Sequence, residues 1–469
     1  MIKTKDFNIS HSFKTKSEVT DRTILIADAF GLGIDDEKDF TIYDNFKFQL
    51  QSNDIVYVTG DSGSGKSWIL KNVFAKFPKS VSIDDIEIDD EEILIEGVGK
   101  DLNDAIKKLN LAGLGDAFLY LRKYSQISDG QKYRYKIAKF IDMEADVWIL
   151  DEFCAKLDRM TAKIVSNNLQ KIARRLGKCV VCATTHEDLK DALKPSLYIR
   201  KGLESEVRTE RIEVDSYPKK LKDVYDNLTV EIGDKKDYEK LKKFHYRQSK
   251  LGAVKNIYKL SFKDEVIGAL VITYPHLALK GRNIYTEGKY NKMTKAICTE
   301  INQKFECVAR IVLHPKFRGL GLAYHFLQEY FKLSTCEYIE TLAVMANYSP
   351  FFEKAGMTKI ETEQDKRRVK LVKQLEDYEF NVALLSSKRY FKSVYDLFED
   401  ETKNDIADIV ISIIDKYKGA SVKIGSKIKS LGENWKELVK ENDEFIMFVP
   451  ELQRANTVYL IYKNLDKTT

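Results

Sequence analysis

The segment at residues 60–67, Gly-Asp-Ser-Gly-Ser-Gly-Lys-Ser, constrains the fold of this chain more than any other feature. It matches the pattern G-x-x-x-x-G-K-S and lies between a β-branched run at residues 55–59 and a helical pattern from Trp68. This is the strand–loop–helix context of a P-loop, in which backbone N–H groups and the helix dipole face a bound phosphate. The sequence therefore predicts an α/β domain that binds a nucleoside triphosphate. The predicted ligands are Gly60, Ser62, Gly63, Ser64, Gly65 and Lys66 for the phosphates, and Ser67 for Mg²⁺.

A pair of acids follows the apolar run at residues 147–150, which is typical of a strand and ends in Asp151-Glu152. A carboxylate at a strand end can hold Mg²⁺, and its neighbour can polarise an attacking water. Alone, this pattern also fits a surface turn, but the P-loop upstream favours the catalytic interpretation. We expect Asp151 to join Ser67 as a metal ligand and Glu152 to activate water.

Three further segments narrow the class of the first half. Ser128-Asp129-Gly130-Gln131 begins a basic helix, a segment ending in Asp158 follows the acidic pair, and His186 follows the next strand. With the P-loop, over residues 20–203, they resemble ABC-type ATPases, although Ser-Asp-Gly-Gln replaces the usual Ser-Gly-Gly-Gln. The resemblance implies ATP and Mg²⁺ as ligands, Glu152 as general base and His186 as the γ-phosphate contact.

The same resemblance implies an ATP-dependent homodimer, in which ATP is sandwiched between the P-loop of one copy and the signature segment of the other. Ser128 and Gly130 would act across the dimer, and the resemblance also implies that Gln131 and Asp158 contact ATP. Two elements of the family are not evident. Residues 90–100 contain no Gln, so Glu96 is the stand-in, and the aromatic residue expected to stack on adenine is either Phe30 or Tyr43.

The second half contains another loop between a strand and a helix. Residues 308–313 are apolar and β-branched apart from Arg310, an Arg-Gly-Leu-Gly-Leu-Ala loop spans residues 318–323, and an apolar helix runs to Phe331. Glycines and a helix N-terminus beside an arginine make an anion cradle, although a plain turn fits the same residues. Residues 226–362 look like a GNAT acyltransferase. The resemblance implies acetyl-CoA or another acyl donor, bound by Arg318, Gly319, Gly321 and Ala323.

One departure concerns the chemistry of transfer. GNAT enzymes commonly place a Tyr before the Glu-Lys of the last helix, where it protonates the leaving thiolate, and this chain has Phe352 there. Tyr348, one helical turn earlier, is the candidate replacement. Arg310, with the segments at residues 274–276 and 281–283, suggests the branch of phage Mom-type proteins that modify adenine in DNA. Arg310 fits a paired strand charge equally well.

The charge distribution bears on the substrate. Residues 1–200 carry 30 Lys and Arg against 32 Asp and Glu, whereas residues 251–350 carry 13 against 8. A basic face in the second half would track phosphates and stack bases, or would be a solvated, lysine-rich loop. Its candidate residues are Lys280, Arg282, Tyr285, Lys289, Tyr290, Lys292 and Lys295.

We therefore expect an α/β chain with an ABC-type domain at residues 1–203, a linker at 204–225, a GNAT-like domain at 226–362 and a mixed α/β extension at 363–469. The N-terminus resembles no secretory signal, no apolar run is long enough for a membrane helix, and the six cysteines fit free thiols in a cytoplasmic protein. The leading interpretation is an ATPase that controls modification of nucleic acid. The alternatives are an ATP-gated N-acetyltransferase acting on a protein or small-molecule amine, and a clamp that binds nucleic acid without transferring a group.

Overall fold

The computed structural model describes residues 4–15, 17–34, 38–202, 206–213, 220–245, 251–363, 365–417, 423–441, 443–452 and 457–465. These residues form two α/β domains, each built on its own large sheet, and a separate helical unit. We call them the first domain (residues 4–213), the second domain (residues 220–363 and 457–465) and the helical unit (residues 365–452). Among the described residues, no helix combines the length and apolar character needed to cross a membrane.

The first domain consists of a two-stranded hairpin, a six-stranded sheet and the helices that cover it. Its elements are β1 (Lys5–Thr15), α1 (Asp21–Phe30), β2 (Lys38–Leu50), β3 (Ile55–Gly60), α2 (Lys66–Lys76), β4 (Ser80–Ser82), α3 (Leu102–Leu111), α4 (Ala117–Tyr120), α5 (Asp129–Asp142), β5 (Val147–Leu150), α6 (Arg159–Leu176), β6 (Cys179–Thr184), α7 (Lys190–Leu193), β7 (Leu197–Lys201) and β8 (Val207–Arg211). The sheet order is β4-β5-β6-β3-β7-β8. All pairings are parallel except that of β7 with β8.

The central strands of this sheet are buried on both faces, as expected where helices cover a parallel sheet. One face packs against α2 and the hairpin, and the other packs against α3, α5 and α6. Helix α6 begins at the Asp158 cap and ends at Gly177, whose left-handed conformation closes its last turn. Cys179 and Cys182 are buried free thiols in β6, and burial raises the pKa of both.

Strand β8 extends the first domain beyond the boundary expected at residue 203. It pairs with β7, and the Arg211 guanidinium at its end lies 2.7 Å from a carboxylate oxygen of the buried Asp54. The strand lies at the sheet edge, and four of its five residues are exposed. An exposed edge strand carries no apolar pattern, so its sequence resembles that of a linker.

The second domain is built on a seven-stranded sheet. Its elements up to the helical unit are α8 (Lys222–Tyr225), β9 (Leu228–Gly233), α9 (Lys235–Leu241), β10 (Val254–Phe262), β11 (Glu265–Thr273), α10 (Lys280–Tyr285), α11 (Lys295–Lys304), β12 (Phe305–Leu313), α12 (Leu322–Leu333), β13 (Tyr338–Ala343), α13 (Phe351–Lys354) and β14 (Thr358–Ile360). Strands β9 to β12 form an antiparallel meander. Strand β12 then pairs in parallel with β13 over only three residues, so the two strands part beyond this short ladder.

The expected C-terminal extension is instead an insertion followed by a strand of the second sheet. Helices α14 (Lys366–Glu376), α15 (Lys388–Tyr395), α16 (Asp400–Asp415), α17 (Lys423–Ser430), α18 (Trp435–Glu441) and α19 (Val449–Leu452) precede β15 (Val458–Lys463). Strand β15 lies between β13 and β14 and is antiparallel to both. The helical unit therefore interrupts the connection between two paired strands, and it has an apolar core of its own.

The sequence pattern at residues 445–449 predicts a strand, and this prediction is wrong. These residues belong to a 3₁₀ turn at Glu444–Met447 and to the region where α19 begins. Phe445, Ile446, Phe448 and Val449 are all buried in the helical unit. A short apolar run fits a buried strand and a buried helix equally well. Here packing against the neighbouring helices determines which structure forms.

Candidate nucleotide site and domain interface

The predicted P-loop joins β3 to α2, and its backbone geometry suits a phosphate. The ammonium of Lys66 turns back to donate hydrogen bonds to the Gly60 carbonyl at 2.9 Å and the Asp61 carbonyl at 2.7 Å. Gly60 has φ +149°, and a Cβ there would lie 1.9 Å from the Lys201 carbonyl oxygen. Only glycine therefore allows the loop to leave the sheet at this point.

Two observations indicate that this loop fits a phosphate ligand. The Ser64 hydroxyl is buried and has no hydrogen-bond partner among the residues that the structure describes, and buried hydroxyls are normally satisfied. Burial lowers the pKa of Lys66, although the nearby Asp151, Asp61 and Glu152 oppose this effect. The loop thus presents an unpaired hydroxyl and a lysine that an anion can draw away from its carbonyls.

The β1–β2 hairpin contacts this loop, and this contact limits which aromatic residue can stack on adenine. Tyr43 is buried, and its hydroxyl donates to the Gly65 carbonyl at 2.9 Å, so its ring is not free to stack. Phe30 is 72% exposed on α1. A pair that the sequence analysis missed, Phe13 and Phe40, is stacked with ring centroids 5.4 Å apart and is also exposed. Aromatic content alone does not distinguish this cross-strand pair, because its detection needs the hairpin register.

The predicted acids follow β5, which lies beside β6, and β6 in turn lies beside β3. Glu152 has φ +43°, and its backbone N–H donates to the Asp151 carboxylate at 2.9 Å, which holds Asp151 in place while the Glu152 side chain stays exposed. Asp84, just after β4, has a pKa raised by burial and then by the charge of Asp151. Asp84 was not predicted from the sequence, because only the pairing of β4 with β5 brings it to the other acids.

His186 and the signature segment occupy different parts of the first domain. His186 is half-buried just after β6, and its carbonyl accepts a hydrogen bond from the Tyr57 hydroxyl. Ser128 caps α5, where its N–H donates to the Gln131 side chain at 3.0 Å. Ser128 is exposed and Gly130 is half-buried. The P-loop, the acids and His186 therefore lie at the carboxyl ends of the parallel strands β3, β5 and β6. The signature lies at the start of a helix that covers the sheet.

Asp158 contacts the second domain. Its carboxylate caps α6 by accepting from the Thr161 N–H at 3.1 Å and the Thr161 hydroxyl at 2.5 Å. The same carboxylate lies 2.6 Å from the Lys316 ammonium. Burial raises the pKa of Asp158, but the hydrogen bonds from Lys316 and Thr161 outweigh this effect and lower the pKa to about 2.

The predicted acyl-donor loop also faces the first domain. Arg318 lies 2.6 Å from the Asp116 carboxylate, and both side chains are largely buried. Gly319 has φ +85°, and a Cβ there would lie 2.4 Å from the side-chain nitrogen of Asn168 on α6. Gly321 caps α12 in the left-handed conformation, and Ala323 lies half-buried in its first turn. The guanidinium assigned to a cofactor phosphate is thus paired within the chain.

The two candidate transferase residues belong to other elements, Arg310 to β12 and Tyr348 to the end of the 3₁₀ turn at Met345–Asn347. Arg310 is buried in β12 and donates to the Tyr238 hydroxyl at 2.7 Å, so its role in transfer stays a prediction. Tyr348 packs against the apolar core of the first domain, so its role as a proton donor remains a prediction. Phe352 is buried in the core of the second domain.

The expected basic face is smaller than the sequence suggests. Arg282 is fully buried, with two hydrogen bonds to Glu340, at 2.5 and 3.0 Å. Tyr290 is also buried and cannot stack on a base. Lys292 and Lys295 are exposed, and Lys280 is exposed near Glu363. The sequence alone does not reveal the burial of Arg282, because its buried partner Glu340 is distant along the chain.

Comparison with known proteins relates the first domain to the ATP-binding subunits of transporters. The chain is 28% identical to the cytochrome c biogenesis ATP-binding export protein CcmA of Reclinomonas americana, over 32% of this chain and 79% of that protein. It is 24% identical to the spermidine/putrescine import ATP-binding protein PotA of Mannheimia succiniciproducens, over 40% of this chain and 57% of that protein. Among solved structures, CbiO1 of Clostridium perfringens, part of the ABC transporter complex CbiONQ, is 18% identical with a TM-score of 0.31, covering 40% of this chain and 84% of that one. No protein-family model matches the chain.

The N-terminal part of the chain is thus homologous to ABC ATPase cassettes, and this homology supports ATP hydrolysis. The chain spans most of CcmA but little more than half of PotA. The homology covers about the N-terminal 40% of the chain, where the P-loop and the acidic pair lie.

Proposed function

We propose that the first domain binds ATP with Mg²⁺ and hydrolyses it. The observation that carries this proposal is the shared edge of β5, β6 and β3, where the acidic pair, His186 and the P-loop follow adjacent parallel strands. Ligands of open α/β sheets bind at the carboxyl ends of such strands. Homology to ABC ATPase cassettes supports the same activity.

Each residue of this edge has a chemical role in the proposal. Lys66 would exchange the carbonyls of Gly60 and Asp61 for the β- and γ-phosphates, because a phosphate is a stronger partner for an ammonium than a carbonyl is. Ser67 and Asp151 would hold Mg²⁺, which when bound neutralises phosphate charge. Glu152, exposed beside Asp151, would accept the proton of the attacking water, and His186 would contact the γ-phosphate.

The second half of the ATP site would come from another copy of the chain. Ser128 is exposed at the N-terminus of α5, where unpaired N–H groups favour an anion. Together with Gly130, Gln131 and Asp158 it would close over ATP held by the partner's P-loop. ATP would therefore drive dimerisation.

Glu152→Gln should trap this dimer, because the amide keeps the shape of the side chain but accepts no proton from water. Light scattering after gel filtration should show a dimer with ATP and a monomer without it. Lys66→Ala combined with Glu152→Gln is the matched control and should remain monomeric. A Glu152→Gln protein that stays monomeric at saturating ATP would contradict the sandwich.

For the second domain we propose a GNAT-like acyltransferase that acts on nucleic acid, with DNA base modification of Mom type as the leading reaction. The strand–loop–helix order of β12, residues 314–321 and α12 supports it. Because Arg318 is paired with Asp116, the phosphates of acetyl-CoA or another acyl donor would be held by the N–H groups that begin α12. The exposed residues Lys280, Lys292 and Lys295 would contact phosphates of the substrate.

A second candidate is a clamp that binds nucleic acid and transfers no group. The pairing of Arg318 with Asp116 and the packing of Tyr348 against the first domain favour it. The remaining alternative, an ATP-gated N-acetyltransferase for a protein or small-molecule amine, would differ in its acceptor.

Mass spectrometry of nucleosides from cells that express the chain separates these candidates, with Lys66→Ala as the control. A modified nucleoside that disappears in the control supports the leading reaction. Unmodified nucleosides, with DNA-stimulated ATP turnover in the purified chain, support the clamp. Transfer from acetyl-CoA to an amine supports the third candidate.

A further inference from the structure

One short segment of the second domain touches two elements of the first domain that belong to the proposed ATP site. This segment, residues 314–318, contains a 3₁₀ turn at Pro315–Phe317 between β12 and α12, and we call it the docking loop. It packs on α6 and also contacts α5, the helix that begins with the signature.

The first contact is made by Arg134 of α5. Its guanidinium is buried and donates to the Pro315 carbonyl at 3.1 Å and the Lys316 carbonyl at 3.0 Å. Burial, and then the charge of Arg318, lowers the pKa of Arg134 to about 10. A buried charge with carbonyl partners holds its helix in one place, because moving the helix would leave the charge without those hydrogen bonds.

The second contact is the ion pair between Lys316 and Asp158. Asp158 accepts hydrogen bonds from the Thr161 N–H and hydroxyl in the first turn of α6, and from the Lys316 ammonium of the second domain. Within the described part of the chain, the Lys316 ammonium is the hydrogen-bond partner of Asp158 that comes from outside α6. The Asp158 side chain remains 58% exposed, so it is accessible to another molecule from the surface.

We propose that Lys316 is a positioning residue for ATP hydrolysis, acting through Asp158 and, by way of its backbone carbonyl, through Arg134 of the signature helix. This inference rests on the proposed function of the first domain. The docking loop then holds both Asp158 and the signature helix α5 in place. These are the groups that one copy of the chain would present to the ATP bound by another copy. The second domain sets the rate of ATP hydrolysis without contacting ATP itself.

The ion pair is a poor candidate for a purely stabilising contact. Partly exposed pairs add little to the free energy of unfolding because water screens them. Removing the Lys316 charge should therefore change turnover far more than it changes unfolding. A structural role alone would produce the opposite pattern.

The test is the steady-state ATP hydrolysis of full-length Lys316→Met. We expect kcat to fall roughly tenfold, since misplacing a group in the closed site is costly, while KM for ATP stays unchanged because the P-loop is untouched. Lys316→Arg should retain most of the activity, since it keeps the charge. Lys332→Met is the matched control, because Lys332 pairs with Glu329 on the surface of α12 in the same domain. That variant should behave as wild type.

The outcomes separate this inference from the function on which it rests. A wild-type chain that hydrolyses no ATP overturns both. A wild-type chain that turns over, together with Lys316→Met at unchanged kcat, overturns only the inference. If Lys316→Met unfolds below the assay temperature, Lys316→Gln takes its place. A raised KM for ATP with kcat preserved in Lys316→Met would also contradict the proposal.

Discussion

The two glycine loops of this chain have nearly the same backbone but different surroundings. Gly65 begins α2 with φ +95° and ψ +15°, and Gly321 begins α12 with φ +88° and ψ +15°; neither helix has a side-chain cap. The cation of the first loop, Lys66, is held by carbonyls of its own loop. The cation of the second, Arg318, is paired with Asp116 in another domain. Local sequence thus determines the shape of a phosphate cradle, whereas the neighbouring domain determines whether its charge is available.

The largest expected effect comes from removing the cation of the first loop. Lys66→Ala should reduce ATP turnover by about a hundredfold or more, because it removes a charge aimed at the transferred phosphate. Lys71→Ala, on the exposed side of the same helix, is the control and should retain wild-type turnover. The measurement is steady-state phosphate release. Equal turnover in the two variants would contradict the assignment of Lys66.

The next effect compares the two loops directly through their glycines. Gly60→Ala should lower the free energy of unfolding by about 3 kcal/mol, because its Cβ would meet the Lys201 carbonyl at 1.9 Å with φ at +149°. Gly321→Ala should cost about 1 kcal/mol, since its φ is positive but the closest atom, the Tyr225 hydroxyl oxygen, lies at 3.4 Å. Denaturant unfolding of the full chain measures both. A larger loss at Gly321 would reverse our view of which loop is tighter.

The smallest effect concerns the pH dependence of docking at the second loop. The folded pKa of Asp158 is about 2, below the ordinary value, so its stabilising contribution is complete above about pH 4 and is lost as the pH falls toward 2. Asp158→Asn should remove this part of the acid destabilisation, a change of less than about 1 kcal/mol because the pair is partly exposed. Asp264→Asn, in the turn between β10 and β11, is the control. Identical acid profiles for wild type and Asp158→Asn would exclude the Lys316 contact in solution.

Much of the first domain could be predicted from its sequence because the signals are local. The P-loop, the strand before it and the acids after β5 all lie within short, contiguous patterns. Asp84 escaped notice because its meaning depends on β4 lying beside β5, which is a pairing between distant segments. The edge strand β8 was not predicted because an exposed strand has no apolar face.

The second domain was harder to predict because its decisive contacts are between distant residues. Arg282 and Glu340 are buried together, and neither residue type signals burial when it is read alone. Tyr348 meets the other domain, and this contact leaves no trace in local sequence. Asp116 and Arg318 show the same limit, since only the domain arrangement reveals that they pair.

The position of β15 has a consequence for how the second domain is made. A strand synthesised long after β13 and β14 must enter between them, so neither can complete its hydrogen bonds until the helical unit has been translated. Until then the exposed edges of β13 and β14 are open to wrong partners. The helical unit, with a core of its own, would fold first and bring the two ends of the gap together. We expect the insertion to serve as a scaffold for the assembly of the sheet that it interrupts.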